Sequence, residues 1–167
     1  NLASGKTIWM KVPGDVRNHY IARMDWAENS NELMLQQLNR LQNTNRVVLA
    51  NAHSGGVKTI FTDRDDAWVE VRFGFTKWID NGKRFTFVSE RDGWRHVYLV
   101  SRDGKTVQRI TSGKYDVTRV LALDEKSRWL YFIASPDNPT QRFLYRIGLD
   151  GKGLKRLSPA KQAGSHS

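Results

Sequence analysis

The chain has 167 residues and no cysteine, with 39% hydrophobic and 26% charged residues and a formal net charge of +10. The length suits one ordinary domain, and the balance reads as soluble and globular rather than disordered. Missing cysteine excludes disulfides and thiolate metal sites, and no apolar run approaches the ~18 residues of a membrane span. The start, Asn1-Leu-Ala-Ser-Gly-Lys6, lacks the charged region and apolar core of a secretory signal, and with no initial Met it reads as an excised or processed piece. Residues 7–12 alternate and predict a strand that ends at the turn Pro13-Gly14-Asp15. A strand over 20–26 follows, then a polar turn at 28–31. Residues 32–41 are ambiguous: Leu33, Leu35, Leu38 and Leu41 suit a helix in part, and so does propensity. Their place between two strand-turn units favours a strand. Residues 47–51 and 57–61, joined through Ser54-Gly55-Gly56, predict a hairpin.

Asp63-Arg-Asp-Asp66 reads as an exposed acidic turn, followed by an extended stretch over 67–73. Four strands are then expected over 75–79, 84–89, 96–101 and 107–111, with turns at Asp80-Asn-Gly82, Arg91-Asp-Gly93 and Asp103-Gly104. The plan repeats over 117–123, 129–134, 142–149 and 154–157, before a polar, loose tail at 158–167. Asp-Gly and Asn-Gly suit these turns because glycine reaches positive φ without steric cost.

The two halves of this region repeat. Tyr98, Asp103-Gly104 and Arg109-Ile110-Thr111 match Tyr145, Asp150-Gly151 and Arg156-Leu157-Ser158 at one offset, 47 residues. Fainter counterparts, Leu49, Val57 and Ile60, precede Leu99, Val107 and Ile110 by 50 residues. A sheet-forming repeat of roughly 40–50 residues marks a β-propeller blade, which must bury its faces against neighbours. The predicted fold is all-β: a partial propeller of about three to four blades of four-stranded antiparallel sheet. The approximate blades are 20–62, 68–116 and 117–160, with an N-terminal partial blade at 1–19. Complete propellers have ~4–8 blades, so the chain is expected to be a fragment of one larger propeller domain, able to self-associate through exposed blade edges.

Little in this chain carries chemistry by itself. Basic residues recur singly along the strands, with their densest run at Lys152, Lys155, Arg156 and Lys161. A nucleic-acid binder more often shows a basic stripe interleaved with aromatics on one module, so charge alone argues weakly for RNA or DNA, and a steep salt dependence would be needed to support it. His19, His53, His96 and His166 show no metal-ligand spacing, and no metal or cofactor is expected. No Gly-x-Ser-x-Gly elbow occurs. His53-Ser54-Gly55-Gly56 looks superficially like a reactive serine or oxyanion loop, but its place in a hairpin favours a turn. Glu90 with Asp92 reads as turn chemistry, and the strand aromatics Trp78, Phe85, Phe87, Tyr98, Trp129, Tyr131 and Tyr145 as packing between blade faces.

Several longer stretches carry a resemblance. They are Trp78-Ile-Asp-Asn-Gly-Lys83, Phe87-Val-Ser-Glu-Arg-Asp-Gly-Trp-Arg-His-Val-Tyr98, Ile110-Thr-Ser-Gly-Lys-Tyr-Asp-Val-Thr118, Leu130-Tyr-Phe-Ile-Ala-Ser135 and Asn138-Pro-Thr-Gln-Arg-Phe-Leu-Tyr145. Asp25-Trp26 and Gln37-Leu-Asn-Arg-Leu-Gln-Asn43 belong with them. Each is loose alone. Together, in order and over nearly the whole chain, they resemble the N-terminal propeller of the dipeptidyl peptidase IV family.

The resemblance implies a parent that is a secreted, periplasmic or membrane-anchored serine exopeptidase removing X-Pro or X-Ala dipeptides, usually as a homodimer. It implies a C-terminal α/β-hydrolase domain carrying the Ser, Asp and His, shielded by an eight-bladed propeller. This chain holds no triad, so no catalytic residue is expected in it and the piece alone should be inactive. The family's paired glutamates, which hold the substrate ammonium, have no counterpart here: the chain has no Glu-Glu pair, and the position of the adjacent acids Asp65-Asp66 does not match. In the family an Arg-Phe segment shortly after Trp-Val lines the substrate side. Here Trp68-Val69 is followed by Arg72-Phe73, with spacing that differs by about a residue. The resemblance assigns Phe73 to packing on a substrate side chain and Arg72 to a peptide carbonyl; the alternative is an ordinary strand Phe and a solvated Arg. The other reading of the whole chain is a stand-alone TolB-like or WD-like interaction segment with no enzymatic parent.

Overall fold

The computed structural model describes residues 4–71 and 75–159. Its twelve strands are β1 (His19–Trp26), β2 (Glu32–Asn39), β3 (Thr44–Asn51), β4 (Val57–Arg64), β5 (Trp78–Ile79), β6 (Arg84–Ser89), β7 (His96–Ser101), β8 (Val107–Arg109), β9 (Val117–Asp124), β10 (Trp129–Ala134), β11 (Phe143–Gly148) and β12 (Lys155–Arg156). No helix occurs among the described residues. Each successive set of four strands forms one antiparallel sheet with its strands in sequence order. The fold is therefore all-β, a partial propeller with three four-stranded sheets. The chain forms two compact units, Asn1–Val71 with Arg102–Lys105, and Arg72–Ser101 with Thr106–Ser167.

In the first unit, residues 32–39 form a strand against their helical propensity. β2 is paired on both edges, Leu35 to Met24 of β1 and to Val48 of β3, so its backbone groups are held in ladders on either side. Met34 and Leu38 are buried on one face and Leu35 on the other, while Leu41 lies beyond the strand and is exposed. Tertiary pairing outweighs a propensity of a few tenths of a kcal/mol per residue. Leu35, Val48 and Ala50 form a buried cluster covered by Met10, Val12, Leu33 and Val57.

Residues 7–12 are not a strand, contrary to the sequence reading. Lys11 N–H donates to the Gly55 carbonyl at 2.8 Å, but Val12 N–H turns back to the Met10 carbonyl at 2.9 Å, and Pro13 has no donor to continue a ladder. The alternation of Met10 and Val12 reports which side chains face the cluster rather than a sheet. Residues 67–71 are likewise not a strand. Asp65 draws the Ala67 and Trp68 amides onto its carboxylate at 2.8 and 3.1 Å, bending the chain where an extended run was expected.

The turn 102–105 belongs to this unit. Asp103 Oδ1 accepts the Lys105 N–H at 3.0 Å, Lys58 Nζ donates to the Asp103 carbonyl at 3.2 Å, and Arg102 donates to the Ala27 carbonyl at 3.0 Å and pairs with the Glu32 carboxylate. Gly104 sits at φ +77°, where a Cβ would stand 2.1 Å from the Ile60 carbonyl oxygen.

In the second unit, β5–β8 and β9–β12 bury one core. Ile79, Val97, Leu99 and Ile110 pack with Leu123, Leu130, Phe132, Phe143, Tyr145 and Ile147. Asp80 joins the sheets at one end: its carboxylate pairs with Arg84 and, at 2.7 Å, with Arg128, while its N–H donates to Glu125 Oε2 at 2.9 Å.

The 47-residue repeat has a physical content here. Tyr98 on β7 lies opposite Arg109 on β8, and Tyr145 on β11 lies opposite Arg156 on β12. The Tyr98 hydroxyl donates to Asp92 Oδ2 at 2.7 Å, which Arg109 also approaches at 3.2 Å. The Tyr145 hydroxyl donates to Asp137 Oδ2 at 3.1 Å, and Arg156 comes within 3.7 Å. Thr111 and Ser158 complete the match: their hydroxyls accept the Val97 and Leu144 amides at 3.0 and 2.9 Å, closing the start of β7 and of β11.

The Tyr98 bond holds the Asp92 carboxyl below its usual range, with Arg109 adding to the effect. Burial first, then Asp92, pushes the Tyr98 phenol well above its usual value, and the same order of causes takes Tyr145 up to about 12. Tyr98→Phe is expected to cost about 1 kcal/mol, a typical net hydrogen bond. Tyr145→Phe should cost less, its bond being longer and Asp137 more exposed; paired urea melts of the two variants check the order.

Candidate functional site

The substrate-side residues expected from the sequence, Arg72 and Phe73, lie outside the described residues. The chain on either side of them is firmly tied. In the first unit, Asp65 N–H donates to the Asn43 carbonyl at 3.2 Å, and Val69 N–H to the Gln42 carbonyl at 2.7 Å. Val69 is buried while its neighbour Trp68 is 55% exposed. The Ala67 amide, then the Trp68 amide, lower the pKa of Asp65 from its ordinary value. An ionised Asp65 therefore fixes this bend and leaves the Trp68 ring in solvent. The adjacent pair Asp65-Asp66 is committed to turn geometry on its Asp65 side.

In the second unit, Phe75 packs against the core. Lys77 and Thr86 exchange bonds: Lys77 N–H donates to Thr86 Oγ1 at 3.0 Å and Thr86 N–H to the Lys77 carbonyl at 2.9 Å. Lys77 Nζ reaches the Leu123 carbonyl at 3.4 Å. Thr86 is fully buried in β6, so the segment entering β5 is anchored by a side chain that cannot move without disturbing the core.

The other sequence candidates resolve into structure. His53 Nε2 meets Asn31 Oδ1 at 3.1 Å, and Ser54 Oγ accepts the Gly56 amide at 3.2 Å. Asn51 Oδ1 accepts both the His53 and Ser54 amides, at 3.0 and 2.9 Å. This is a side-chain-stabilised hairpin turn, with the imidazole directed to Asn31 rather than to the serine. Glu90 pairs with Arg95 and Asp92 with Tyr98 and Arg109, so both acids of that turn hold the turn itself. No group of three or more His, Asp or Glu gathers in metal-binding geometry among the described residues.

The sequence reading missed the Tyr–Asp–Arg groupings, although it aligned their Tyr and Arg. Asp92 precedes Tyr98 by six residues and Asp137 precedes Tyr145 by eight, so the acids fall out of any fixed-offset comparison. The signal that could have found them is an Asp in the turn before each repeated Tyr.

The profile of the family described as "Dipeptidyl peptidase IV (DPP IV) N-terminal region" matches residues 1–167. The chain belongs to this family. Dipeptidyl peptidase 4 of Arthroderma otae is 26% identical over all of this chain and 22% of its own length. A probable dipeptidyl-aminopeptidase B of Coccidioides posadasii is 30% identical over 93% of this chain and 18% of its own. The crystal structure of Porphyromonas gingivalis dipeptidyl peptidase 4 matches with a TM-score of 0.84 and 32% identity, over 95% of this chain and 22% of that one. A putative dipeptidyl aminopeptidase IV from Bacteroides ovatus, at 22% identity and a TM-score of 0.75, shares the fold. The chain thus spans about a fifth of the length of the dipeptidyl peptidases it resembles, and within the family it represents propeller sheet.

Proposed function

We propose that this chain is a non-catalytic propeller segment of a serine-type dipeptidyl peptidase that releases X-Pro or X-Ala dipeptides from peptide N-termini. The observation that carries this reading is the family match over the entire chain, on a piece about a fifth as long as the peptidases it resembles. The blades lie near 20–62, 68–116 and 117–160 of one propeller. That propeller restricts access to short, unstructured peptides and helps position them for an α/β-hydrolase domain of the same parent. Arg72 meets a peptide carbonyl, and Phe73 packs on a substrate side chain. The parent is a homodimer that works outside the cytoplasm.

The experiment is hydrolysis of Gly-Pro-p-nitroanilide by the full-length gene product, with this chain as the parallel control. Turnover by the full protein and none by the chain is expected. No turnover by a folded full-length protein would favour a scaffold propeller, and turnover by the chain itself would overturn the non-catalytic assignment. In the full-length enzyme, Arg72→Ala should lower kcat/KM about 10- to 100-fold on a tripeptide or longer substrate, the loss of a charge-assisted hydrogen bond. An unchanged kcat/KM would return Arg72 to the solvated surface.

A further inference from the structure

His96 is the most buried histidine among the described residues, 1% exposed at the start of β7, and nothing above gives it a task. Its two ring nitrogens face different partners. Nε2 lies 3.1 Å from the Gly113 carbonyl, which can only accept, so Nε2 carries the proton. Nδ1 is then an acceptor, and it lies 3.1 Å from Thr111 Oγ1. Thr111 Oγ1 accepts the Val97 amide at 3.0 Å, and its O–H donates to Nδ1. The chain Val97 N–H to Thr111 O–H to His96, and His96 N–H to Gly113, closes with every polar group used once, and it closes only for a neutral ring.

Both partners of the ring sit on the connection from β8 to β9. That connection is otherwise held by Ile110 N–H and Val117 N–H, donating to the Val97 and Arg95 carbonyls at 2.8 Å each, and by the Arg95 amide donating to Asp116 at 2.8 Å. Tyr115 from the same segment stands edge-on to the imidazole at 5.7 Å. Ile110, Tyr115 and Val117 are all core residues of the second unit, so movement here opens that core.

We propose that His96 is an acid-operated latch on the β8–β9 connection, fastened while the imidazole is neutral and released when it gains a proton. A charged ring places a second donor, Nδ1–H, against Thr111 Oγ1. The hydroxyl must turn its own proton away into buried surroundings, and the cation has no carboxylate at either nitrogen. The charged and titratable groups around it are Arg109 on β8, Asp92 in the β6–β7 turn, Asp116 and Tyr115 on the connection, and Tyr98 on β7. Asp92 is already committed to Tyr98 and Arg109, and Asp116 to the Arg95 amide.

Burial is the largest influence on the ring and lowers its pKa from the ordinary 6.5; the Gly113 bond, Asp92 and Asp116 oppose it and Arg109 assists it. The sign follows: the folded state binds fewer protons than the open one between these two pKa values. The latch is therefore fully fastened above about pH 6.5 and is lost as pH falls from there through the folded value.

The test is hydrogen exchange by mass spectrometry on the full-length protein at pH 7.5 and 5.0, corrected for intrinsic rates, together with exchange at the histidine ring C2 position. Amides of residues 110–117 should lose protection at least tenfold at pH 5.0 while those of β6 and β10 keep theirs, with a midpoint that coincides with the His96 titration. His96→Gln retains a donor toward Gly113 but cannot take up charge, and its amide protection should be flat over the same range. The proposal is overturned if 110–117 keeps its protection while His96 titrates, if β6 and β10 open equally, or if the glutamine variant opens as the parent does. Should that variant not fold, coincidence or mismatch of the two midpoints in the unmodified protein decides.

Discussion

Phe132→Ala is expected to lower the stability of the second unit by about 3–5 kcal/mol, the range for deleting a fully buried aromatic. Phe132 is 0% exposed, in the middle of β10, and its ring stacks on Tyr145 at 5.8 Å. It is paired on both sides, to Tyr145 of β11 and Val120 of β9, so neither neighbour can collapse into the space without leaving its ladder. The cavity term therefore stays nearly whole, and the cost should fall toward the upper end of the range. Thermal melts of the full-length protein, followed by near-UV dichroism, should show a drop of about 10 °C in the transition reporting this region. Val107→Ala, at a 44% exposed site on β8, is the control and should move it by less than about 2 °C. Equal shifts for both variants would mean that β10 is not a central element of this core.

Gly104→Ala should be nearly as damaging, for a different reason. A methyl group at Gly104 would stand 2.1 Å from the Ile60 carbonyl oxygen and 2.9 Å from its carbon, and the atoms in the way are backbone. The residue also holds φ +77°, which disfavours any side chain. Gly93 separates the two effects: it sits at φ +84° with open space where its Cβ would be. Gly93→Ala should therefore cost only the left-handed conformation, about 1–2 kcal/mol. Gly104→Ala must add displacement of β4 or of the 102–105 turn and should exceed about 3 kcal/mol. Chemical denaturation of the two variants beside the parent measures the difference. If they cost the same, backbone conformation alone requires glycine at 104.

Much of the strand plan was legible from residue order. Gly-containing turns at Asp80-Asn-Gly82, Asp103-Gly104 and Asp150-Gly151 mark where chains reverse, because few residues adopt positive φ. The Tyr98 and Tyr145 matches were legible for the same local reason: a repeated sheet must place the same side chain at the same register. The failures are equally local in appearance and non-local in cause. Residues 7–12 alternate as a strand does, yet Val12 turns back on Met10 and the segment pairs with nothing beyond Gly55. Residues 67–71 read as extended, yet Asp65 and Gln42 take their amides. Alternation reports which side chains are buried; it does not report whether a partner strand is present to accept hydrogen bonds.

The candidate site divides in the same way. Arg72 and Phe73 came from resemblance rather than from spacing, and their flanks are anchored by Gln42 and Thr86, distant in sequence and unremarkable in composition. His53-Ser54 had only a superficial likeness to a reactive serine or oxyanion loop, its place in a hairpin favouring a turn, and the fold turns the imidazole to Asn31. His96 carried no signal at all, since a lone histidine acquires meaning only from Thr111 and Gly113 across the strand.

The amino-acid order by itself determined the all-β class and the four-strand rhythm, because apolar alternation, glycine placement and repeat spacing are properties of contiguous chain; the family came from the resemblance carried by its longer stretches. Only the tertiary structure decided which extended segments find a ladder, that Asp92 and Asp137 serve Tyr98 and Tyr145, and that Thr111 and Gly113 are the partners of the His96 ring. Those outcomes depend on groups brought within 3–4 Å from different strands, and on the loss of water that makes an unpaired donor or a buried charge costly there.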